Sequence, residues 1–323
     1  MNLLNLYALI QPFLSLSLSL SLSLSLNSTF MNQYNQYIKD YNKNFSYENF
    51  HIFKKNKMII DSFNSNNESY TLEINQFTDN NNFNSEIYKP NNDHQEFYIF
   101  SEDLNVPSKI DWREKNAVTH VKNQGKCGGC WAFSTTGSVE GLIAINTGKL
   151  FNISEQQLID CSSNQGNNGC EGGLMEQGYQ YIIDNNGICS EEEYPYTASD
   201  GRCQDCKNIV QIKKYGDITP NSEKVLKRAV AQQPVSVAIQ ANLTSFQLYS
   251  QGVYSDPNCG DQLDHGVLIV GYGHDLFHGM DYWLVKNSWG PKWGENGYIR
   301  IQRNTDTPSG LCGIAMQPTI PLL

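Results

Sequence analysis

No cysteine occurs before position 127 of this 323-residue chain, so disulfides cannot hold its N-terminal part together. Positive charge is scarce, with Lys and Arg totalling 23 against 33 Asp and Glu, for a net charge of -10. No basic stripe is present to follow a phosphate backbone, which excludes nucleic acid as the expected partner. Beyond the first 26 residues no apolar run is long enough to span a bilayer. Residues 3–26 are apolar and end in Ser-Leu dipeptides from Ser15 to Leu26, but they lack a positive n-region. Residues 1–26 are read as a signal peptide, against the alternatives of an uncleaved anchor and of plain low complexity. The Ser-Leu alternation has strand periodicity without a partner segment, and it is not assigned to the fold.

What is present lies mostly downstream. Nine cysteines fall between positions 127 and 312, which favours an oxidising compartment, and their odd number leaves at least one thiol. Composition changes near position 105: residues 27–103 are rich in Asn, Tyr and Phe, and the remainder in Gly and Cys. Two separately built units follow. In the first, Phe45, Phe50, Phe53, Met58, Ile60 and Phe63 recur at helical spacing, with Lys54, Lys55 and Lys57 on the polar side. The stretch from Asn80 to Asp93, broken by Pro90, reads as a poorly structured linker. In the second unit, Trp131–Gly148 reads as a helix and Ser154 as the N-cap of another. β-branched and aromatic runs at Val235–Ile239, Val267–Gly271, Tyr282–Lys286 and Tyr298–Gln302 then predict a sheet-rich half. A cleft is expected between the helical and sheet halves.

The stretch from Gln124 to Ser134 places Cys130 at the start of a helix behind a glycine turn, where the helix N-terminus favours a thiolate. A nucleophilic thiolate needs an imidazole and a neutral group to orient that ring. His265, ahead of an apolar strand, supplies the first, and Asn287, at the next strand, the second.

These three segments resemble the papain-like cysteine proteases, the family of the cathepsins L, B and K, from Val106 to about the C-terminus. The resemblance implies an α+β, papain-like two-lobed fold: a helical left lobe, a β-barrel-like right lobe and the cleft between. It implies that Cys130 is the nucleophile, His265 its acid/base partner, Asn287 the orienting residue, Trp289 a shield over the His-Asn contact and Gln124 the oxyanion donor. Gly129 departs from the family, where Ser usually precedes the nucleophile. The same resemblance pairs Cys127 with Cys170, Cys161 with Cys203 and Cys259 with Cys312. That leaves Cys189 and Cys206 as the natural extra pair, with an exchange of Cys203 and Cys206 between partners left open. Leu174, Met175, Ala238, Leu263 and Gly266 would line the main specificity pocket, with Gln317 at its floor, favouring an apolar residue two positions before the cut (P2).

Residues 27 to about 105 resemble the inhibitory pro-region of the cathepsin L branch. Phe53, Asn56, Ile60 and Asn64 match its helix signature, whereas the expected Glu and Arg positions hold Phe45 and Asn49, so an internal salt bridge should be missing and inhibition looser. Asn75, Phe77 and Asp79 match a second motif, with Glu73 where glycine is expected. The organisation implied is a signal peptide (1–26), a helical propeptide (27–105) that blocks the cleft, and a peptidase domain (106–323).

Cys127-Gly-Gly-Cys130 alone would suit a thiol-disulfide oxidoreductase or half a zinc site, but the flanks lack a βαβ pattern. A catalytically inactive homologue would need a broken site, and all four residues are there. No cleft-blocking segment suggests an exopeptidase. His51, His94, His120, His274 and His278 are assigned no chemistry, and Glu191–Glu193 reads as a solvated face. Asn152-Ile-Ser154 and Asn242-Leu-Thr244 fit the glycosylation sequon. The expectation is a monomeric cysteine endopeptidase of the secretory pathway, lysosomal or extracellular. It acts on polypeptides without metal or cofactor, is restrained by its own propeptide and is activated by acid.

Overall fold

A computed structural model describes residues 27–80, 97–98 and 106–323. The signal-peptide reading of residues 1–26, and the linker expected from Asn80 to Asp93 except for its first residue, lie outside the described residues. Among the described residues no helix is long and apolar enough to cross a membrane.

The N-terminal unit is a pair of helices, α1 (27–40) and α2 (Tyr47–Asn64), followed by a short strand, β1 (Tyr70–Leu72). Ser46 caps α2 by accepting the Asn49 N–H. The apolar series anticipated for this helix is only partly inward. Phe50, Phe53 and Ile60 are buried, the two Phe rings packing with Tyr34 and Tyr37 of α1, but Met58 is 55% and Phe45 44% exposed. Phe45 lies ahead of the cap. Met58, five positions after Phe53, is turned about 140° away from it at 3.6 residues per turn. Where the Glu-Arg pair was expected and missed, the Phe45 ring stands edge-on to Tyr34 at 5.7 Å. Lys43 instead pairs with buried Asp79, which also accepts from the Tyr37 hydroxyl at 2.8 Å. Phe45 and Asn49 supply no ion pair, but the helix has one of its own, Lys57–Asp61 one turn apart, beside the Lys43–Asp79 pair that ties the segments of the unit together.

The asparagines matching the pro-region motifs tie chain segments together. Asn56 donates to Thr78 O at 3.0 Å, and Asn64 both donates to Leu72 O and accepts its N–H. Asn75 accepts from Phe77 N and donates to Gln247 O at 2.7 Å, linking this unit to the rest of the chain.

The helical half of the C-terminal part holds α3 (Cys130–Thr147), α4 (Glu155–Cys161) and α5 (Met175–Asp184). Gly148 ends α3 with φ 73°, the left-handed C-cap that glycine adopts without strain, and Ser154 caps α4 through Gln157 N. Side chains from Trp131, Leu142, Leu158, Tyr179 and Ile182 share the core of this half. In sequence order follow β2 (Ile110–Asp111), which precedes α3, then β3 (Lys214–Asp217), α6 (Glu223–Val230), β4 (Val235–Ile239), α7 (Thr244–Gln247), β5 (Tyr249–Tyr254), β6 (His265–Asp275), β7 (Met280–Lys286), β8 (Tyr298–Gln302) and β9 (Thr319–Leu322). They include the four strands anticipated, two of them longer than their apolar runs. The hydrogen-bonded order is β1-β5-β8-β7-β6-β4-β9-β3, with β2 on β6. Among the described residues the sheet is therefore an open ladder, with β1 of the N-terminal unit at one end and β3 at the other, and the expected barrel does not close.

Four disulfides are formed: Cys127–Cys170, Cys161–Cys203, Cys189–Cys206 and Cys259–Cys312. Asn242 and Thr244 of the second sequon are exposed, whereas Asn152 is half-buried and Ser154 is occupied as a cap. Glu191 corrects the solvated-face reading. It is half-buried, accepts the Tyr196 N–H at 2.8 Å, and burial pushes its carboxyl up to about 7, while Glu192 and Glu193 are exposed.

Phe53→Ala should remove about 3–5 kcal/mol from the N-terminal unit, the usual cost of truncating a buried Phe. In a thermal scan of the full chain the transition of residues 27–80 should move down while that of residues 106–323 stays in place.

Candidate active site

Cys130 is the first residue of α3, held there by its surroundings. The Cys127–Cys170 disulfide and the Gly128 N–H on Cys170 O, at 2.9 Å, pin the preceding turn. A Cβ on Gly129 would come within 3.0 Å of Ile159 Cδ1, so the glycine found where serine was expected suits the isoleucine packed against it. Of the nine cysteines, Cys130 alone is outside a disulfide. Its sulfur accepts the N–H of Gly266 at 3.3 Å, which brings the residue after His265 onto the thiol.

His265 opens β6, almost wholly buried, and its Nε2 lies 2.8 Å from Asn287 Oδ1. That oxygen also accepts the Ser288 N–H, so it is an acceptor and Nε2 must carry the proton. Nδ1 is left as the basic nitrogen. The Trp289 ring stacks on the imidazole at 4.8 Å. Burial pulls the imidazole down to about 4, against the Asn287 contact, which favours its charged form. Between about 4 and the usual 6.5 the unfolded chain takes up a proton that the folded one refuses, so this group weakens the fold as pH falls through that window.

Gln124 sits close by: its N–H reaches Ser288 O at 2.8 Å, its Oε1 accepts from the Ser288 hydroxyl at 2.6 Å, and its Nε2 donates to Cys127 O at 3.0 Å. Ser288, which fixes the face of this amide, was not singled out in the sequence, although it lies inside the Asn287–Trp289 segment. Also overlooked was a buried ion cluster behind the site. Lys122 contacts Glu155 at 2.5 Å and Glu140 at 3.2 Å, and Lys286 reaches Glu140 through Thr119. Burial lowers Lys286 to about 8; for Lys122 the two glutamates outweigh burial and hold the ammonium charged. Charged residues scattered from position 122 to position 286 carry no periodic signal that could have announced this.

Of the residues expected to line the specificity pocket, Met175, Ala238 and Leu263 belong to one buried cluster with Trp131, and Gly266 pairs with Ala238 across β4 and β6. A Cβ on Gly266 would meet Met175 Sδ at 3.3 Å. Leu174 is half-buried at the start of α5. Met316, not anticipated, packs against this cluster beside half-buried Gln317, whose Oε1 is buried with no hydrogen-bond partner among the described residues. The redox and zinc readings lose their ligands, because Cys127, Cys203 and Cys206 are all in disulfides with other partners.

The sequence model for papain family cysteine proteases matches residues 106–322. The chain belongs to that family. Among papain-family relatives, it is 48% identical to the probable cysteine protease RD21B of Arabidopsis thaliana over 85% of this chain and 61% of that one. It is 45% identical to the KDEL-tailed cysteine endopeptidase CEP2 of Arabidopsis thaliana over 84% and 79%. The chain thus spans about three fifths of RD21B. Among solved papain-family structures, the proform of the ragweed pollen cysteine protease Amb a 11 superposes with a TM-score of 0.84 at 40% identity, covering 91% of this chain and 94% of that one. A recombinant stem bromelain precursor gives 0.84 and 40%, covering 91% and 99%. The two-lobed fold with an N-terminal pro-region is therefore that of papain-family proforms.

Two outcomes follow from the site geometry. Lys122→Met should cost about 3–5 kcal/mol by leaving Glu140 and Glu155 buried without their cation, read from urea unfolding. In a Cys130→Ser chain that retains residues 27–105, NMR of labelled histidine should find His265 titrating near 4. Removing the N-terminal unit should raise that value, as solvent gains access to the ring.

Proposed function

We propose that this chain is a cysteine endopeptidase, made as a zymogen, with Cys130, His265, Asn287 and Gln124 as its catalytic residues. The observation that carries this reading is the chain of contacts from the Cys130 sulfur through Gly266 and His265 to Asn287. With Nε2–H tied to Asn287, the Nδ1 nitrogen of His265 is the base available to the thiol, and an ion pair with the imidazolium plus the α3 N-terminus would stabilise the thiolate. The thiolate attacks the scissile carbonyl, and the Gln124 amide with the Cys130 N–H holds the oxyanion. His265 passes its proton to the leaving amine and then activates water to release the acyl group. Gln124 Nε2 donates one of its two N–H groups to Cys127 O, and the second is the donor offered to the oxyanion.

Residues 27 to about 105 act as the inhibitory propeptide and 106–323 as the peptidase domain. Gln76 donates to Trp289 O at 2.9 Å and Phe77 lies edge-on to Trp289 at 4.8 Å, which supports a pro-region seated over the catalytic contact. The enzyme acts as a monomer on polypeptides, with an apolar P2 residue set by Met175, Ala238 and Leu263. Four disulfides support passage through the secretory route to a lysosomal or extracellular destination.

The test is hydrolysis of a fluorogenic peptide bearing Leu or Phe before a terminal Arg by acid-treated protein. Turnover should be abolished by E64, the inhibitor held by the bromelain protease of Ananas comosus, itself 44% identical to this chain. It should also be lost in Cys130→Ser. Asn287→Ala should lower kcat by roughly 10²-fold, the scale of a misaligned acid/base. Full turnover in Cys130→Ser would refute the assignment. Gln317→Glu should raise the rate on an Arg-P2 peptide relative to Leu-P2, by adding a carboxylate to the pocket.

A further inference from the structure

Beside the catalytic cleft the N-terminal unit covers a second, separate feature. β1 pairs antiparallel with β5, Tyr70 opposite Gly252 and Leu72 opposite Tyr249. The ladder is extended at both ends, where Val253 N–H donates to Ser69 O at 2.8 Å and Glu73 N–H to Leu248 O at 2.9 Å. Alternate side chains of β1 are swallowed: Tyr70 and Leu72 are 4% and 2% exposed, and the Tyr70 ring packs 4.9 Å from that of Tyr254. The other side of β5 is taken by β8, so β1 is its outer neighbour. Gly252 makes this approach possible. At φ 98° it has no side chain, and a Cβ there would stand 2.3 Å from Ser69 O and 2.7 Å from Tyr70 Cα.

Loss of residues up to about 105 strips β1 away and leaves β5 as a bare edge, with a row of unpaired main-chain groups above an aromatic floor. We propose that in the mature enzyme this edge is an exosite that captures an extended segment of an unfolded polypeptide substrate by strand addition. The preferred pattern is aromatic-x-aliphatic, as in Tyr70-Thr71-Leu72. This rests on the endopeptidase reading above and adds a second contact to the same substrate. The occupant is argued from continuity. The chain leading from Leu72 reaches Trp289, over the catalytic histidine, at Phe77, and five residues of extended chain cover at most about 17 Å. A substrate lying extended in the cleft can therefore reach the β5 edge with the same chain, and main-chain pairing gives affinity while the two seats give selectivity.

The experiment uses mature enzyme and paired long peptides with one common cleavage sequence. One peptide carries Tyr-Thr-Leu five to eight residues from the cut, on either side in separate peptides, and its control carries Gly-Thr-Gly. Strand addition predicts a kcat/KM about tenfold higher for a Tyr-Thr-Leu peptide, through KM, a difference within reach of two cross-strand pairs and their burial. A free peptide of residues 67–73 should compete with it and leave a short fluorogenic peptide untouched. Gly252→Ala should erase the advantage and keep short-peptide turnover. Equal kcat/KM for the paired peptides, inhibition of long and short substrates alike, or an advantage that survives in Gly252→Ala would each overturn the exosite. So would concentration-dependent dimerisation of mature enzyme that residues 67–73 dissolve, since the edge would then belong to a second copy. Absence of short-peptide turnover would instead count against the endopeptidase reading, and substrate arms carry no folding risk.

Discussion

The C-terminal part is arranged around one helix, α3, that has no face to water until its last turn. Trp131 to Ala144 of α3 are buried without exception, including Ser134, Thr135, Thr136 and Ser138. A helix buried on all sides needs close neighbours all round, and the small residues admit them. Gly137 leaves room for Leu268 of β6, and Gly141 for Pro234 ahead of β4, where a Cβ would come within 2.7 and 2.5 Å. The hydroxyls are satisfied across the interface, Ser134 to Val267 O and Ser138 to Pro234 O. The sheet is thereby pressed against the helix along its length. β6 begins level with the helix N-terminus, which is what brings His265 and Gly266 to Cys130.

The N-terminal unit uses that arrangement. Its grip does not depend on the thiol: it holds the β5 edge, the Gln247 carbonyl and Trp289. Gln76 and Phe77 of this unit meet Trp289, whose ring stacks on the His265 imidazole, and burial of that imidazole favours its neutral form. Aromatic packing about Tyr34 and Phe53, together with the Lys43–Asp79 pair, stabilises this cover in place of the ion pair absent at Phe45 and Asn49.

Much of the fold could be read in advance because its signals are local. Ser46 could have been named as a cap on the same grounds as Ser154, and Gly148 marks its helix end by backbone chemistry alone. The strand runs at Val235 and Tyr298 needed no distant partner to be recognised. The misses have one cause. Met58 and Phe45 were grouped with inward residues because the helix phase was not yet fixed by a start at Tyr47. Glu191 was grouped with its exposed neighbours because nothing local says which of three glutamates turns inward. Lys122, Glu140, Glu155 and Lys286 were passed over because a charged residue looks the same in sequence whether solvated or paired in the interior.

The sequence by itself determined the chemistry available: which thiol could stand at a helix start, which imidazole and amide could serve it, and that cysteines enough for several disulfides were present. These follow from residue types and short-range spacing, which the chain carries wherever it goes. Tertiary structure alone decided that Gly266 should meet the Cys130 sulfur, that Ser288 should orient Gln124, that Met316 should pack against the cluster of Met175, Ala238 and Leu263, and that β1 should lie on β5. Each of these joins residues far apart in the chain, and such contacts exist only once burial of α3 has set the two halves against each other.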